Sequence, residues 1–202
     1  PAGLECALAL GQRGYRVILA EASAELGGRV SRESRLPGLA EWVRVRDYRV
    51  LKLERMGNVS IYRENPLGAD DIIEFSAEDQ FDYSHVLLAN GATWRRNGLG
   101  RLHREPIPGL DKLKVFTPDD IMDGVLAKGR VVVFDDDHFY MGGVLAEKLR
   151  REGHDVLLVT PAPDISIRTH KTLEQRKIQI QLMNLGVELA TQTNLTAAET
   201  GK

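Results

Sequence analysis

The sequence has a single cysteine, Cys6, in 202 residues. It cannot form an internal disulfide, and alone it cannot supply the thiolate set of a zinc or iron–sulfur centre. Also lacking is any apolar run near the roughly 18 residues that a bilayer-spanning helix needs, and any charged stretch leading into a signal-like apolar core. Membrane insertion and secretion are not expected, and the chain reads as cytoplasmic. Excess charge of either sign is missing too: 27 Lys and Arg against 29 Asp and Glu leave a formal net charge of −2. Without a basic field there is no support for binding to nucleic acid or anionic lipid. What is present, 43% apolar and 28% charged residues, is the composition of a globular chain sized for one ordinary domain or two small ones.

Pro1 to Leu10 reads as a helix, with Pro in its first turn and an apolar face of Leu4, Ala7, Leu8 and Ala9. Gly11 and Gly14 offer stops, and Tyr15 to Glu21 follows as a β-branched, strand-length run ending in an acid. A helix feeding a buried strand is half of a βαβ unit, whose first strand is expected in front of Pro1. In dinucleotide-binding units the strand-to-helix loop carries G-x-G-x-x-G, and its last Gly lets the helix pack on the sheet. Gly3 stands where that last Gly would be, and Glu21, 18 residues on, is placed to hydrogen-bond a ribose hydroxyl. An ordinary crossover without ligand would share these features. Gly27-Gly28-Arg29 permits close backbone approach, with an Arg to lie along an adenosine or pair with a phosphate; a plain turn with a solvated Arg would look the same.

Further along, Ala40 to Met56 has the pattern of an amphipathic helix, closed by Gly57-Asn58. A strand is expected at Val59 to Tyr62, a short acid-capped helix at Ala69 to Phe75, and a buried strand at Asp82 to Ala89 ending in Asn90-Gly91. A strand closing in small residues and Gly lets a cofactor approach the sheet; a strand-ending turn is the bland alternative. Trp94 either covers a nucleotide or plugs the core. Residues 95–129 have the Pro and Gly content of a linker, with an N-capped turn at Thr117 to Met122. A second alternation follows: strand 130–134, helix 141–152, strand 155–160, helix 169–185 and strand 187–189.

After the strand at 130–134 a nicotinamide site would present a Gly-rich loop. The sequence instead has Asp135-Asp136-Asp137-His138-Phe139-Tyr140-Met141-Gly142-Gly143. Carboxylates at a helix N-terminus suit the helix dipole, yet they put negative charge where a pyrophosphate would sit, so NAD(P)H is not expected at Asp135–Asp137. Consecutive acids rarely converge on one ion, and no metal site is expected. The five histidines are scattered, and no catalytic constellation can be assembled from this chain.

Pro1-Ala2-Gly3-Leu4-Glu5, Glu21, Leu26-Gly27-Gly28-Arg29, Leu36-Pro37-Gly38-Leu39-Ala40-Glu41-Trp42, Arg46-Asp47-Tyr48-Arg49 and Ala89-Asn90-Gly91-Ala92-Thr93-Trp94 together resemble one family. It is the C-terminal nucleotide-binding portion of the trimethylamine, dimethylamine and histamine dehydrogenase group, within the old yellow enzyme and dienoyl-CoA reductase class. The resemblance runs from residue 1 to about residue 190. It implies an α/β fold of two Rossmann-like, FAD/NAD(P)-binding-type three-layer domains, both incomplete at the chain ends: residues 1–125, of the ADP/FAD type, and residues 126–202, a degenerate NAD(P) type. It implies a parent enzyme that N-demethylates or deaminates a small amine with FMN and a 4Fe-4S cluster, both lying in a part that precedes Pro1. Electrons would leave to an electron-transfer flavoprotein or similar acceptor, and the parent would be a homodimer. In this region the resemblance implies bound ADP (or FAD), held by Gly3 near the phosphates, Glu21 on the ribose, Gly27, Gly28 and Arg29 around the adenosine, and Ala89 and Gly91 at the strand end. The fragment alone would be inactive. The alternatives are an NAD(P)H-dependent flavin reductase of the dienoyl-CoA reductase type and a non-catalytic nucleotide-binding or docking module.

Overall fold

The computed structural model describes residues 1–77, 85–125 and 129–199. Helix α1 (Ala2–Gln12) buries Leu4, Ala7, Leu8 and Gly11, the i, i+3, i+4, i+7 stripe of an amphipathic helix. It feeds β1 (Val17–Ala20), which pairs in parallel with β2 (Val59–Tyr62), Val17 opposite Val59 and Ala20 opposite Tyr62. Between the strands run α2 (Arg29–Glu33) and α3 (Val43–Leu53). Leu4, Ala7, Leu8, Leu26 and Leu53 form the core, with Val17, Leu19, Val50, Met56, Val59 and Ile61 packed against it. Gly11 marks the closest approach of α1 to this core: a Cβ there would lie 2.8 Å from Val59 Cγ2 and 2.9 Å from Met56 Sδ. Asn58 finishes the helix by donating to the carbonyls of Gly11 and Tyr15 at 2.9 and 2.8 Å, which satisfies acceptors that a helix end leaves open. Helix α4 (Ala69–Ala77) follows, with the Asp71 carboxylate accepting the Gly68 N–H at 2.6 Å.

A second set of elements begins with α5 (Pro118–Met122), opened by a capping box in which Thr117 and Asp120 satisfy each other's backbone N–H groups. Strand β3 (Val131–Phe134), α6 (Met141–Arg151), β4 (Val156–Val159), α7 (Gln175–Asn184) and β5 (Glu188–Ala190) then alternate. The sheet order is β3-β4-β5, all parallel, and central β4 is the most buried strand, as parallel sheets covered by crossovers require. The chain divides into two compact units, residues 1–35 with 39–92 and residues 36–38 with 93–202. Among the described residues no helix is long and apolar enough to cross a membrane.

Three local expectations change. The strand expected at 82–89 starts outside the described residues, and residues 85–89 belong to no sheet: Val86, Leu87 and Leu88 are 51%, 62% and 76% exposed. Apolar β-branched character marks a segment able to pair, but a strand exists only with a partner, and among the described residues β1 pairs on one side only, with β2. The helix expected over 169–185 is divided into a 3-10 turn at Ile167–Thr172, a left-handed Leu173 and α7. The Thr169 and Thr172 hydroxyls donate back to the carbonyls of Ser166 and Thr169, local bonds that compete with the α-helical ladder. Finally, Gly27-Gly28-Arg29 is more than a turn, because Gly28 is the N-cap of α2.

Candidate nucleotide site and the closed second loop

Glu21 directly follows β1. Its N–H donates to the Tyr62 carbonyl and its carbonyl accepts from Asn65, both at 2.9 Å, which fixes the residue at the C-terminal end of the two-stranded sheet, where parallel sheets bind ligands. Its Oε1 accepts from Ser23 twice, from the backbone N–H at 3.0 Å and from the hydroxyl at 2.8 Å. Its Oε2 makes no hydrogen bond among the described residues.

Gly3 lies in the first turn of α1. A Cβ added there would sit 3.3 Å from the Ala89 Cβ and 3.7 Å from Leu19 Cδ1, so this turn rests against both β1 and the segment that ends in Ala89. Gly28 and Gly91 have φ of +53° and +73°, and each would meet nothing within 4 Å on its missing Cβ side. Both therefore leave backbone open to a close approach, in a conformation that other residues adopt at a cost. Gly27 (φ +103°) differs, because a Cβ there would strike Ser31 Oγ at 2.5 Å and the Arg46 stem at 2.9 Å. Behind it, Arg46 donates to the Ser31 hydroxyl at 3.1 Å and pairs with Glu25 and Asp47, while that hydroxyl donates to the Leu26 carbonyl at 2.7 Å.

Arg29 ties the corner to the other half of the candidate site. Its guanidinium donates to the Ala92 carbonyl at 3.0 Å and pairs with buried Glu33 at 3.4 Å. Two groups of expected residues thus come together, Gly3 with Ala89, and Gly27, Gly28 and Arg29 with the segment carrying Gly91. Glu21 stands at the end of β1, the strand whose Leu19 faces Gly3. Ser23, Ser31 and Glu33 were not singled out from sequence, and Arg46 only as part of the Arg46-Asp47-Tyr48-Arg49 stretch; a hydroxyl two residues after the strand-ending acid was the available signal for Ser23. Trp94 is half-buried and falls in the second unit.

The loop after β3 is filled from within. Asp135 is 3% exposed, and its Oδ1 accepts the N–H groups of Asp137 and His138 at 3.1 and 3.0 Å. Its carboxyl carbon occupies the space in front of α6: a Cβ on Gly142 would lie 2.6 Å from Asp135 Cγ. Burial raises the Asp135 pKa, against the opposing pull of the His138 N–H. The Asp135 carbonyl accepts the Thr160 hydroxyl at 2.9 Å. His138, in a left-handed conformation with φ of +67°, sits between Thr160 Oγ1 and Asp136 Oδ1, 3.4 Å from each. The three acids therefore do not act alike at the helix start; Asp135 alone faces Gly142, and Asp136 turns to accept the Leu102 N–H at 3.0 Å. No group of acids, histidines and cysteine capable of holding a metal ion occurs among the described residues.

With this geometry in place, the comparisons with known proteins are informative. Residues 116–202 match the family described as the OYE-like second alpha/beta domain. Dimethylamine dehydrogenase of Hyphomicrobium sp. (strain x) is 36% identical over 100% of this chain and 28% of its own length. Among solved structures, histamine dehydrogenase from Rhizobium sp. 4-9 superposes with a TM-score of 0.94 at 45% identity, over 100% of this chain and 30% of that one. The 6-hydroxypseudooxynicotine amine oxidase of Pseudomonas geniculata N1 gives 0.93 at 48% identity, over 98% and 29%. The chain is a homologue of the amine dehydrogenases, an oxidoreductase group. It spans under a third of the length of these relatives.

Proposed function

We propose that this chain is the adenine-nucleotide-holding region of a longer enzyme that N-demethylates or deaminates a small amine, and that its two units are Rossmann-like domains, one of the ADP/FAD type and one of a degenerate NAD(P) type. The observation that supports the reading is that the 89–92 segment meets both candidate groups, Ala89 against Gly3 in the first turn of α1 and the Ala92 carbonyl bonded to Arg29 beside Gly28, with Glu21 at the end of β1. The backbone amides of the α1 first turn would face the phosphates, where a helix N-terminus favours negative charge. Glu21 would take the ribose hydroxyls, and the open backbone at Gly28 and Gly91 would let the nucleotide lie close. Bound there, ADP (or FAD) would be held rather than turned over, because none of these residues is a nucleophile or a proton donor poised for chemistry.

A 4Fe-4S cluster, which the resemblance implies for the parent enzyme together with FMN, does not fit the described residues of this chain. Its one cysteine is partly buried within α1, and no ligand cluster accompanies it. Both groups belong to the parent outside this region. The loop after β3 would take no NAD(P)H, a reading supported by the buried Asp135 carboxylate packed against Gly142 at the start of α6. Reducing equivalents from the amine would then pass to an electron-transfer flavoprotein or similar acceptor, in a cytoplasmic homodimer.

Calorimetric titration of the full-length protein tests the reading. ADP is expected to bind, and Glu21→Ala to weaken it roughly 10- to 100-fold, the effect of losing charge-assisted hydrogen bonds worth about 1.5–3 kcal/mol. Wild-type protein that takes no ADP, or a Glu21→Ala variant that binds it unchanged, would overturn it.

A further inference from the structure

We infer that Ser23 is a positioning residue that sets the nucleotide selectivity of the Glu21 site, favouring a free ribose 2′-hydroxyl over a 2′-phosphate. This rests on the adenine-nucleotide reading above. A glutamate has three rotatable side-chain bonds, so an unrestrained Glu21 would lose rotamer freedom on gripping a ligand, or swing aside to admit a different one. Ser23 removes that freedom beforehand. Two donors from the one residue, its N–H at 3.0 Å and its hydroxyl at 2.8 Å, converge on Oε1.

The backbone of the turn is itself held, with the Ser23 carbonyl accepting the Glu64 N–H at 3.2 Å and the Glu21 carbonyl accepting from Asn65 at 2.9 Å. The Ser23 hydroxyl has one hydrogen and two acceptors in reach, Glu21 Oε1 and the Glu25 carbonyl at 2.9 Å. The charged carboxylate is the stronger of the two. With Oε1 saturated, Oε2 is the atom presented outward, fixed in position and carrying negative charge. It accepts from a ribose hydroxyl, and it repels a 2′-phosphate that it cannot avoid by rotating.

The test is titration of the full-length wild-type protein, Ser23→Ala and Ser23→Thr with ADP and with 2′-phospho-ADP. Wild type is expected to prefer ADP. Ser23→Ala, which keeps the backbone donor, should weaken ADP about 3- to 10-fold while leaving 2′-phospho-ADP unchanged or tighter, so that the selectivity ratio falls by at least that factor. Ser23→Thr, which restores the hydroxyl, should return the ratio to within about twofold of wild type. Equal losses for both ligands in Ser23→Ala would mark a merely structural role and overturn the inference, as would an unchanged ratio. If wild type binds ADP and the ratio does not move, the Ser23 assignment alone falls; if wild type binds neither nucleotide, the nucleotide reading falls and this inference with it.

Discussion

Replacing Gly142 by Ala should expose how tightly the loop after β3 is closed. A methyl group there would lie 2.6, 2.7 and 2.9 Å from Cγ, Cβ and Oδ2 of Asp135, contacts that neither a helical backbone nor a 3% exposed side chain can relieve by rotation. Overpacking of this kind costs about 1–3 kcal/mol, and the higher helix propensity of Ala returns about 1 kcal/mol, for a net loss of up to about 2 kcal/mol. Asp135→Ala alone strands the N–H groups of Asp137 and His138 and should cost about 1–2 kcal/mol. In the double variant the obstruction is gone, so Gly142→Ala should become neutral or stabilising there. The cycle, measured by urea unfolding, should give a coupling of about 1–3 kcal/mol. Additivity within about 0.5 kcal/mol would show that Asp135 does not occupy the space in front of α6, and would refute the reasoning.

Two carboxylates should give opposite pH signatures. Burial raises the Asp135 pKa in the folded state, so its contribution is complete below the unfolded value near 3.9 and is lost as pH rises through the folded one; wild type should lose stability relative to Asp135→Asn as pH rises above about 4. The Arg96 guanidinium, with the Thr117 N–H, lowers the Asp120 pKa; its contribution is present above about pH 4 and is lost as pH falls further, a slope that Asp120→Asn should abolish in acid denaturation. Thr117→Ala removes the side-chain cap of α5 and should cost about 1 kcal/mol by thermal or urea unfolding.

Elements governed by local chemistry were legible in the sequence. The Leu4, Ala7, Leu8 stripe of α1, the β-branched run of β1, the N-capped turn at Thr117 and the strand–helix alternation from β3 to β5 each follow from spacing alone, and the structure contains all of them. What was not legible depends on partners distant in sequence. The apolar run at 86–88 has strand character but no neighbour to pair with among the described residues. Ser166, fully buried and left-handed, together with the back-bonding threonines divides the helix expected from 169. In the candidate site, the glycines and Glu21 could be named from their spacing. The bond of Arg29 to the Ala92 carbonyl, across 63 residues of chain, could not, nor could burial of Glu33 beneath it. The Asp135 carboxylate was expected to repel phosphate by its charge; its packing against Gly142 is a contact that charge counting could not reveal.

The central claim is that one end of this chain holds an adenine nucleotide and the other has closed its dinucleotide loop. A crystal structure of the full-length protein soaked with both ADP and NADPH tests it most directly. The account predicts nucleotide density between the start of α1, Glu21 and Gly28, and none in front of Gly142. Density for NADPH against Asp135, or a bare site at Glu21 in saturating ADP, would contradict it.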